Sequence, residues 1–483
     1  MASLEEIIQE RKKKIEGLRS LGINPYPEKT KRDHSIKEVL ENFDELAKDN
    51  KEICVAGRIM SIRGHGALMF SHMMDETGKI QFLLKKDDLG EEKMDLFKNY
   101  FDMGDFIEVS GTVFMTNTNE KTVLVKDFNI LCKALRPIPT EWFGLEDEEE
   151  KLRKRYLDLI LNKEVKETFD LRIDLMRYIR EFFYNLDFKE VETPILQPVY
   201  GGALAQPFMT HLNALDMDVY LRIAPELYLK RLLIGGYEKI FEIAKCFRNE
   251  GIDREHNPEF TNLELYWVWS HRDGLMSMLE DMVKFLIGKL GDKSALKLEN
   301  ISFPFERITF SEFIKNKSGL DFDNGSLADF QEYLKKNHIE FEKGESKAKL
   351  GDLIVKQFRN ELIKPTFITD DPLELSPLAK QDLNDLEHTL RFHLYMDGKE
   401  ICNGFSELND AMEQRKRFEE QEKMHESGDK DAHPLDTDFV DALEYGMPPT
   451  GGLGIGIERL IAVLLGKGSL KEILFFPFLK NKE

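Results

Sequence analysis

The sequence predicts an α+β protein in which a small β-barrel precedes a larger region of helices and strands. Residues 53–135 contain about five short strand patterns separated by glycine-containing turns, which is typical of a small barrel. From residue 151 to the end, helical periodicity alternates with β-rich stretches. The length of 483 residues suits roughly two to four domains, and a hydrophobic fraction of 41% supplies a large core.

The N-terminal helix is predicted for residues 4–21, where leucine and isoleucine recur at helical spacing between charged residues. It carries a basic run at residues 11–14. The predicted barrel strands lie at residues 53–59, 67–70, 80–84, 106–114 and from 122 onward, with an interrupting helix at roughly 90–101. This arrangement suits an OB-fold, which commonly holds single-stranded nucleic acid.

Beyond the barrel, the acidic run at residues 146–150 marks a predicted boundary between an N-terminal domain, residues 1–145, and a second domain, residues 146–483. Long helices are predicted at residues 166–186 and 270–291. Residues 327–364 are polar and helical and contain no chemical motif. We therefore expect a helical insertion near residues 309–368 of the second domain.

Composition excludes several classes of protein. No stretch approaches about 18 uncharged apolar residues, so no transmembrane helix is expected. Residues 1–15 lack the apolar segment of a secretory signal. The four cysteines are widely spaced and form no C-x-x-C pair, so neither a disulfide framework nor a zinc ribbon is expected. We expect a cytoplasmic protein with free thiols and no membrane partner.

The formal net charge of −21 does not by itself favour a nucleic-acid partner, because phosphate contacts need Lys and Arg. The charge is unevenly distributed, however. The first 141 residues carry 22 basic and 25 acidic side chains, so most of the acidity lies in the rest of the chain. Net charge therefore does not exclude nucleic-acid binding, and we expect the electrostatic contact at residues 11–14 and the barrel.

The densest polar segment lies between two predicted strands and includes Arg248, Glu250, His256 and Phe260. A long loop joining these strands would bring the four side chains near one another. An arginine at a strand end can hold a phosphate or carboxylate with two hydrogen bonds, and a phenylalanine can stack on a flat heterocycle. The alternative is a surface hairpin with ordinary ion pairs.

A glycine-rich segment at residues 448–460 precedes an apolar helix that carries Arg459 in its first turn. Glycines permit close approach of the backbone to a ligand. The segment is not a P-loop, because no Gly-Lys-Ser/Thr follows, and it lacks the Rossmann pattern. A glycine turn alone is weak evidence, but a second arginine at a second turn favours phosphate binding.

Residues 399–410 predict a strand in which Asn403, Phe405 and Glu407 share one face. An aromatic wall with a carboxylate beyond it suits a ligand with an alkyl stem and a cationic head. The alternative is an edge strand with a solvated face.

Two further segments have structural and functional interpretations. Pro225 suits the first turn of a helix, where Glu226 is favoured by the helix dipole, so capping alone explains Glu226. The segment at residues 191–196 follows the long helix at 166–186. The apolar content of both exceeds the need of one local core, which is typical of packing across a two-fold axis.

Together these segments resemble the class II lysyl-tRNA synthetases over almost the whole chain, from the N-terminal helix to residue 477. Residues 192–194, Glu-Thr-Pro, resemble motif 1, the dimer element of that family. Residues 247–260 resemble motif 2, and residues 454–459 resemble motif 3. Their order and spacing are far more specific than any one of them alone.

The resemblance extends to the lysine subgroup, on residues 224–231 and 404–410; aspartyl and asparaginyl relatives favour Ser-Pro-Gln at the first of these. It implies an OB-fold that binds the anticodon, followed by an antiparallel sheet flanked by helices. The implied activity is attachment of L-lysine to tRNA(Lys) through a lysyl-adenylate, with ATP as substrate and Mg²⁺ as cofactor. The implied assembly is a homodimer.

The resemblance also implies three sets of binding residues. For ATP these are Arg248, Glu250, His256, Asn257, Phe260, Glu400, Gly456 and Arg459. For lysine they are Gly202, Glu226, Arg248, Glu264, Tyr266, Asn403, Phe405 and Glu407. For the anticodon they are Arg63, Phe70, Gln81 and Glu120.

Within these sets, the resemblance gives catalytic roles to Arg248 and Arg459. Arg248 would bridge the lysine carboxylate and the α-phosphate, and Arg459 would hold the γ-phosphate. Phe260 would stack on adenine. Glu226 and Gly202 would hold the α-amine of lysine.

One position departs from the family, which has an acidic residue seven positions before Glu400 so that two carboxylates hold Mg²⁺. Here that residue is His393, and imidazole is a poor ligand for Mg²⁺. The implied metal residues are thus Glu400 and His393, with three interpretations. Glu400 and the phosphates suffice, His393 binds through a water, or metal affinity is reduced. We prefer the first and expect a raised magnesium requirement that His393→Glu relieves.

Other functions remain as alternatives. An aspartyl- or asparaginyl-type ligase is disfavoured by residues 224–231. A ligase that lysylates elongation factor P is disfavoured by the N-terminal barrel, which that relative lacks. A non-catalytic paralogue that binds tRNA or nucleotides is favoured only by His393.

Overall fold

The computed structural model describes residues 3–64, 67–139, 147–203, 205–342, 344–426 and 434–480. The chain forms two compact units, Met1–Glu146 and Asp147–Glu483. The predicted domain boundary at 145/146 falls on residues outside this described part.

The first unit contains a closed five-stranded barrel, as the sequence predicts, with strand order β1-β2-β3-β5-β4. Strands β3 and β5 pair in parallel, and the other neighbours pair antiparallel. Its elements are α1 Leu4–Ser20, α2 Ile36–Glu41, α3 Phe43–Lys48, β1 Ile53–Arg63, β2 Leu68–Met74, β3 Lys79–Lys85, α4 Lys86–Leu89, α5 Glu91–Tyr100, β4 Phe106–Met115 and β5 Lys121–Cys132.

Helix α1 begins with a capping box, in which the Ser3 hydroxyl accepts from the Glu6 backbone and Glu6 accepts from Ser3. The basic run at residues 11–14 does not lie entirely at the surface, where a contact with nucleic acid was expected. Arg11 is buried and donates to the backbone carbonyls of Met103, Ala134 and Arg136. The expectation that the whole run faces a nucleic acid is therefore wrong for Arg11, whose guanidinium satisfies carbonyl groups inside the unit.

The second unit is built on an eight-stranded sheet flanked by helices, and it also contains a separate three-stranded sheet. The strands of the two sheets are β6 Lys189–Glu190, β7 Leu196–Gln197, β8 Phe208–Leu212, β9 Met217–Leu221, β10 Lys239–Phe247, β11 Glu259–Val268, β12 Glu306–Thr309, β13 Thr366–Thr369, β14 Arg391–Met396, β15 Lys399–Ser406 and β16 Thr450–Gly456. Its helices are α6 Glu148–Arg153, α7 Arg155–Leu161, α8 Lys163–Asn185, α9 Glu226–Ile234, α10 Arg272–Leu290, α11 Phe310–Ser318, α12 Leu327–Lys336, α13 Lys347–Phe358, α14 Ala411–Glu426, α15 Thr437–Leu443 and α16 Ile457–Leu465.

The strand order of this sheet is β12-β13-β14-β15-β16-β11-β10-β6, and β7-β9-β8 form a separate three-stranded sheet. From β13 to β10 every neighbouring pair is antiparallel, as predicted. The edge strands β12 and β6 pair in parallel with their neighbours, so the sheet as a whole is mixed. The order places β15, β16 and β11 side by side at its centre.

One apolar core holds this sheet against helices α8, α10 and α16. It includes Phe183 from α8, Leu279 from α10 and Leu460 from α16, which are all fully buried. Burial of one such side chain contributes about 1.5–3 kcal/mol. The opposite side of β11, β15 and β16 carries polar side chains, and these form the site described below.

Helices α11, α12 and α13 have an apolar cluster of their own, which includes Phe313, Phe330 and Ile354. Ile368 and Tyr395 of the sheet also belong to it. The predicted insertion near residues 309–368 covers these helices, and it stays a prediction.

Cys54, Cys132, Cys246 and Cys402 are all free thiols. In the described part of the chain, no helix is both long enough and apolar enough to cross a membrane.

Candidate active site

Two adjoining cavities open over the centre of the large sheet. The first cavity has a volume of about 140 Å³ and the second about 360 Å³. The residues common to both linings are Arg248, Asn262, Glu400, Asn403 and Gly454. The site therefore has two compartments with a common wall.

The β10–β11 hairpin builds one side of the first cavity. Arg248 follows β10 directly, and Phe260 lies near the start of β11, so the antiparallel pairing brings the two together. The Arg248 guanidinium carbon lies 5.0 Å from the centre of the Phe260 ring. Arg248 Nε is buried and has no hydrogen-bond partner in the described part of the chain. A guanidinium with an unsatisfied N–H at a cavity wall can bind an anion.

Arg459, in the first turn of α16, links two other parts of the first cavity. Its Nη1 donates to the Glu400 carbonyl at 3.2 Å, and its Nη2 lies 3.1 Å from His256 Nε2. The neighbouring Glu458 has a structural role, because it is buried and accepts from Arg172 and from the Thr261 backbone. Arg459 is thus held at the cavity by a carbonyl of strand β15 and by a side chain of the segment between β10 and β11.

Strands β11 and β15 supply the polar side chains of the second cavity. Glu264 accepts from Asn262 Nδ2 at 3.0 Å and from Tyr266 Oη at 3.2 Å. Asn403 and Phe405 alternate along β15, and Glu407 follows its end. Glu407 Oε2 lies 2.5 Å from Lys230 Nζ, whereas Glu407 Oε1 is buried and accepts no hydrogen bond among the described residues. A ligand ammonium would satisfy Oε1.

Two glycines make room for these carboxylates. A Cβ on Gly452 of β16 would lie 2.0 Å from Glu407 Oε1 and 2.6 Å from the Tyr266 ring. Gly202 has a φ of +88°, and a Cβ there would lie 3.0 Å from the Glu226 Cβ. Both positions require glycine, Gly452 for space and Gly202 for backbone conformation as well.

Lys230 of α9 is a residue that the sequence patterns did not single out. Its side chain is fully buried, with Nζ 2.6 Å from Glu226 Oε1 and 2.5 Å from Glu407 Oε2. The ammonium also lies 5.4 Å from the centre of the Phe405 ring. A lysine four residues after a glutamate was a possible signal, but that spacing usually marks an exposed ion pair.

Two carboxyl groups of the second cavity, those of Glu407 and Glu264, have raised pKa values. Burial, together with the nearby Glu226, raises the pKa of Glu407 to about 8 despite the opposing charge of Lys230. Burial and Glu226 also raise the pKa of Glu264 well above its usual value. Crowded buried carboxylates favour their neutral forms until a cation arrives.

His393 of β14 lies between two acidic side chains. Its Nδ1 is 3.1 Å from Glu400 Oε1, and its Nε2 is 2.7 Å from Asp371 Oδ2. Burial opposes the charge of the ring, but Asp371 and Glu400 raise the pKa of His393 to about 9. Asp371 is a second residue that the sequence patterns did not reveal, because residues far apart in sequence meet only across β13 and β14.

The fit of Mg²⁺ to this position can be judged from the donors. Glu400 fits, because His393 and Arg459 hold its pKa far below the usual range against the effect of burial, so its carboxylate stays charged. The doubly protonated ring of His393 has no free lone pair, so metal binding there requires the ring to lose a proton and to give up its contact with one of the two carboxylates. In the described part of the chain, no group of three or more His, Cys, Asp or Glu side chains is arranged for a metal.

The sequence-predicted residues fall into the two cavities. All eight residues predicted for ATP line the first cavity, and all eight predicted for lysine line the second. Arg248 belongs to both sets and lines both cavities.

The four residues predicted for the anticodon lie on the barrel. Arg63 and Phe70 face each other across the β1–β2 pair. Gln81 donates to Glu120 at 2.6 Å. The sequence patterns missed His72, whose Nε2 lies 2.6 Å from the other Glu120 oxygen. Gln81, Glu120 and His72 thus form a small polar network.

The segment predicted as a dimer element has a buried anchor. Thr193 donates to Glu242 Oε2 at 2.7 Å, and Arg222 pairs with Glu242 Oε1 at 2.6 Å. Beyond this anchor, the large side chains of Ile195 and Leu196 are about half exposed.

Comparison with known proteins identifies two matching families. Residues 147–480 match the family described as tRNA synthetases class II (D, K and N). Residues 53–131 match the family described as OB-fold nucleic acid binding domain. These matches coincide with the second unit and the barrel.

Similar proteins extend over the whole chain. A lysine–tRNA ligase of Thermotoga maritima is 46% identical, with 99% of this chain and 97% of the relative covered. A lysine–tRNA ligase of Clostridium novyi is also 46% identical, with 99% and 95% covered. A lysine–tRNA ligase of Pelotomaculum thermopropionicum is 44% identical, with 99% and 96% covered.

Proposed function

This chain belongs to the class II tRNA synthetases, in the lysine–tRNA ligase family, and on that premise we propose how its residues carry out the reaction. The activity is ATP-dependent attachment of L-lysine to tRNA, in the two steps general to the family. A lysine carboxylate oxygen attacks the α-phosphorus of ATP, and pyrophosphate leaves. A terminal ribose hydroxyl of tRNA(Lys) then takes the lysyl group, and AMP leaves.

ATP binds in the first cavity. Phe260 stacks on the adenine, and Arg459 holds the γ-phosphate. Glu250, His256, Asn257 and Gly456 complete the nucleotide pocket. This assignment is supported by the two arginines at the cavity, which suit a polyphosphate.

Lysine binds in the second cavity. Glu226 and Gly202 hold its α-ammonium, while Phe405 packs on the aliphatic stem. Glu407, Glu264 and Tyr266 surround the ε-ammonium, and Asn403 completes the pocket. The support is the concentration of buried carboxylates there, because a desolvated ammonium needs a compensating negative charge.

The observation that carries this proposal is that Arg248 lines both cavities. A guanidinium there can contact the lysine carboxylate on one side and the α-phosphate on the other. The nucleophile is already ionised, so the first step needs alignment and charge stabilisation rather than a general base. Arg248 supplies both, and Arg459 stabilises the departing pyrophosphate.

Glu400 is the residue of this chain that fits a bound Mg²⁺. Its carboxylate is charged, and Glu400, like Arg248, lines both cavities. A Mg²⁺ ion held there would neutralise part of the charge on the ATP phosphates. His393 holds Glu400 in place through its Nδ1.

The barrel of the first unit binds the anticodon of tRNA(Lys). Phe70 stacks on an unpaired base, while Arg63, Gln81 and Glu120 offer hydrogen-bonding groups. The Gln81–Glu120 hydrogen bond supports this role, because it fixes the orientation of both side chains. We place this activity in the cytoplasm, where tRNA is charged for translation.

The active assembly is a homodimer formed through α8 and the segment around residue 195. Large apolar side chains on both are exposed, among them Ile173, Tyr184, Ile195 and Leu196. Exposed large apolar side chains of this kind are typical of protein interfaces.

Amino-acid-dependent exchange of pyrophosphate into ATP tests the substrate assignment. We expect exchange with lysine and none with aspartate or asparagine, followed by charging of tRNA(Lys). Exchange with aspartate or asparagine instead would overturn the lysine assignment. No exchange with any amino acid would support a non-catalytic role.

A further inference from the structure

The fully buried ammonium of Lys230 has no role in the assignments above. It does not line the second cavity, yet it contacts two carboxylates that do. Placing an ammonium away from water is unfavourable unless nearby charges compensate it. The role of Lys230 therefore follows from the two carboxylates that it contacts.

Lys230 connects two separate elements of the pocket. Glu226 lies one turn earlier on α9, whereas Glu407 follows strand β15. The contact of Lys230 Nζ with Glu407 Oε2 sets the direction of the Glu407 side chain. The second Glu407 oxygen, Oε1, accepts no hydrogen bond in the described chain, and it faces the space kept by Gly452.

The charges of the pocket can be counted. The cavity lining carries charges of both signs, and the carboxylates proposed to face the two ammonium groups of lysine are Glu226, Glu264 and Glu407. Among the described residues, Lys230 contacts Glu226 and Glu407. This group of four side chains keeps two negative charges in excess when all four are ionised. A lysine ligand brings two ammonium groups, and its carboxylate is compensated separately by Arg248.

We propose that Lys230 is a specificity-determining positioning residue, an internal ammonium that orients Glu407 and leaves the pocket with the charge that a diammonium amino acid neutralises. This inference rests on the proposed function, because it assumes that lysine occupies the second cavity. An amino acid without the ε-ammonium leaves one buried carboxylate unbalanced.

The first test is Lys230→Met, which removes the positive charge and keeps a side chain of similar length. We expect KM for lysine in pyrophosphate exchange to rise about tenfold, because Glu407 loses the contact that orients it and this loss outweighs the added negative charge, with kcat changing less than about twofold. We also expect the preference for lysine over 2-aminohexanoate, its isostere without the ε-ammonium, to fall by a similar factor. Lys230→Arg, which keeps the charge, should retain part of this preference.

A double variant gives a result that a merely structural role would not produce. In Glu407→Gln the Lys230 ammonium is left facing the ligand with one counter-charge fewer, so KM for lysine rises strongly. Adding Lys230→Met to Glu407→Gln restores the surplus of two negative charges. We therefore expect the double variant to bind lysine more tightly than Glu407→Gln alone.

The outcomes separate this inference from the proposed function. Absence of lysine-dependent exchange in the unchanged protein would refute the proposed function itself. Exchange in the unchanged protein, with wild-type KM and selectivity in Lys230→Met, would refute only the role of Lys230. If Lys230→Met does not fold, a double variant that binds lysine no better than Glu407→Gln overturns the inference. Lys336→Met, at an exposed position of α12, controls for loss of a lysine as such.

Discussion

At position 393 an imidazole stands between two carboxylates, Asp371 and Glu400. Because the pKa of His393 is raised to about 9, the ring carries a positive charge throughout the neutral range. This charge already compensates part of the negative charge that a metal ion would otherwise balance. The residue thus lowers the local attraction for a divalent cation.

We predict that His393→Glu lowers the magnesium requirement. A carboxylate at this position adds an oxygen ligand and removes a positive charge, and both changes favour Mg²⁺. The Mg²⁺ concentration for half-maximal pyrophosphate exchange should fall about threefold or more. His393→Gln, which removes the charge without adding a carboxylate, is the matched control. An unchanged magnesium dependence in His393→Glu contradicts the prediction.

The raised pKa of Glu407 leads us to predict that lysine binding releases a proton. At pH 7 most of the free protein has Glu407 protonated, because its pKa lies at about 8. An ammonium ligand favours the ionised form, so the proton leaves, and affinity rises between about pH 6 and about pH 8. The groups facing Glu407 are Lys230, which lowers its pKa, and Glu226, which raises it.

Calorimetric titration with lysine in two buffers of different ionisation enthalpy measures this release. We expect at least about half a proton per lysine at pH 7, and correspondingly fewer in Glu407→Gln. Equal heats in both buffers would show that no proton is exchanged and that this explanation is wrong.

At the scale of an element, strand β16 lines the site with backbone rather than with side chains. Its residue Gly452 borders the proposed lysine pocket, since a Cβ there would lie 2.0 Å from Glu407 Oε1. We predict that Gly452→Ala raises KM for lysine about tenfold or more, because Glu407 and Tyr266 must move. Gly454→Ala on the same strand, whose nearest atom would be Asn262 Nδ2 at 3.4 Å, should have a much smaller effect. Equal effects of the two substitutions would argue against this explanation.

In the basic run of helix α1, some side chains are bound within the first unit and others are exposed at its surface. Lys12 and Lys13 are exposed, whereas Arg11 is buried and Lys14 pairs with Asp102 at 2.7 Å. We predict that replacing Lys12 and Lys13 by alanine weakens tRNA charging, increasingly so at higher salt, and spares lysine-dependent exchange.

Arg11→Ala provides the contrast for this prediction. It leaves three backbone carbonyls without their donor, so it should destabilise the first unit by about 1–3 kcal/mol in a thermal melt. If the Lys12 and Lys13 variant loses exchange and charging equally, the division of labour between the two units is refuted.

For the whole molecule, the proposed homodimer yields a prediction from the surface of the second unit. Ile195 and Leu196 are about half exposed, although the adjacent Thr193 is anchored by Glu242. Replacing both by aspartate should give a monomer in light scattering and lower activity. Ile363→Asp, at another exposed apolar position, is the control and should leave the assembly unchanged. A monomeric unchanged protein would contradict the proposal.

Periodicity and turn residues predicted the barrel and the alternation of helices with strands, because both are local properties of the sequence. The antiparallel sheet and the two groups of cavity residues were predicted from the resemblance of the motifs to a known family. Lys230 and Asp371 escaped prediction, because their partners lie on other elements and meet them only after folding. Arg11 was misassigned for a related reason, since a basic run on a helix does not reveal which side faces carbonyl groups.

The common wall between the two cavities has a consequence for inhibitor design. Because Arg248, Glu400 and Asn403 border both compartments, one molecule can reach into both without crossing solvent. A compound that joins a lysine-like amine to an adenosine through a non-hydrolysable bridge would place its second half at a high effective concentration once the first half has bound. Its affinity should therefore greatly exceed that of either fragment.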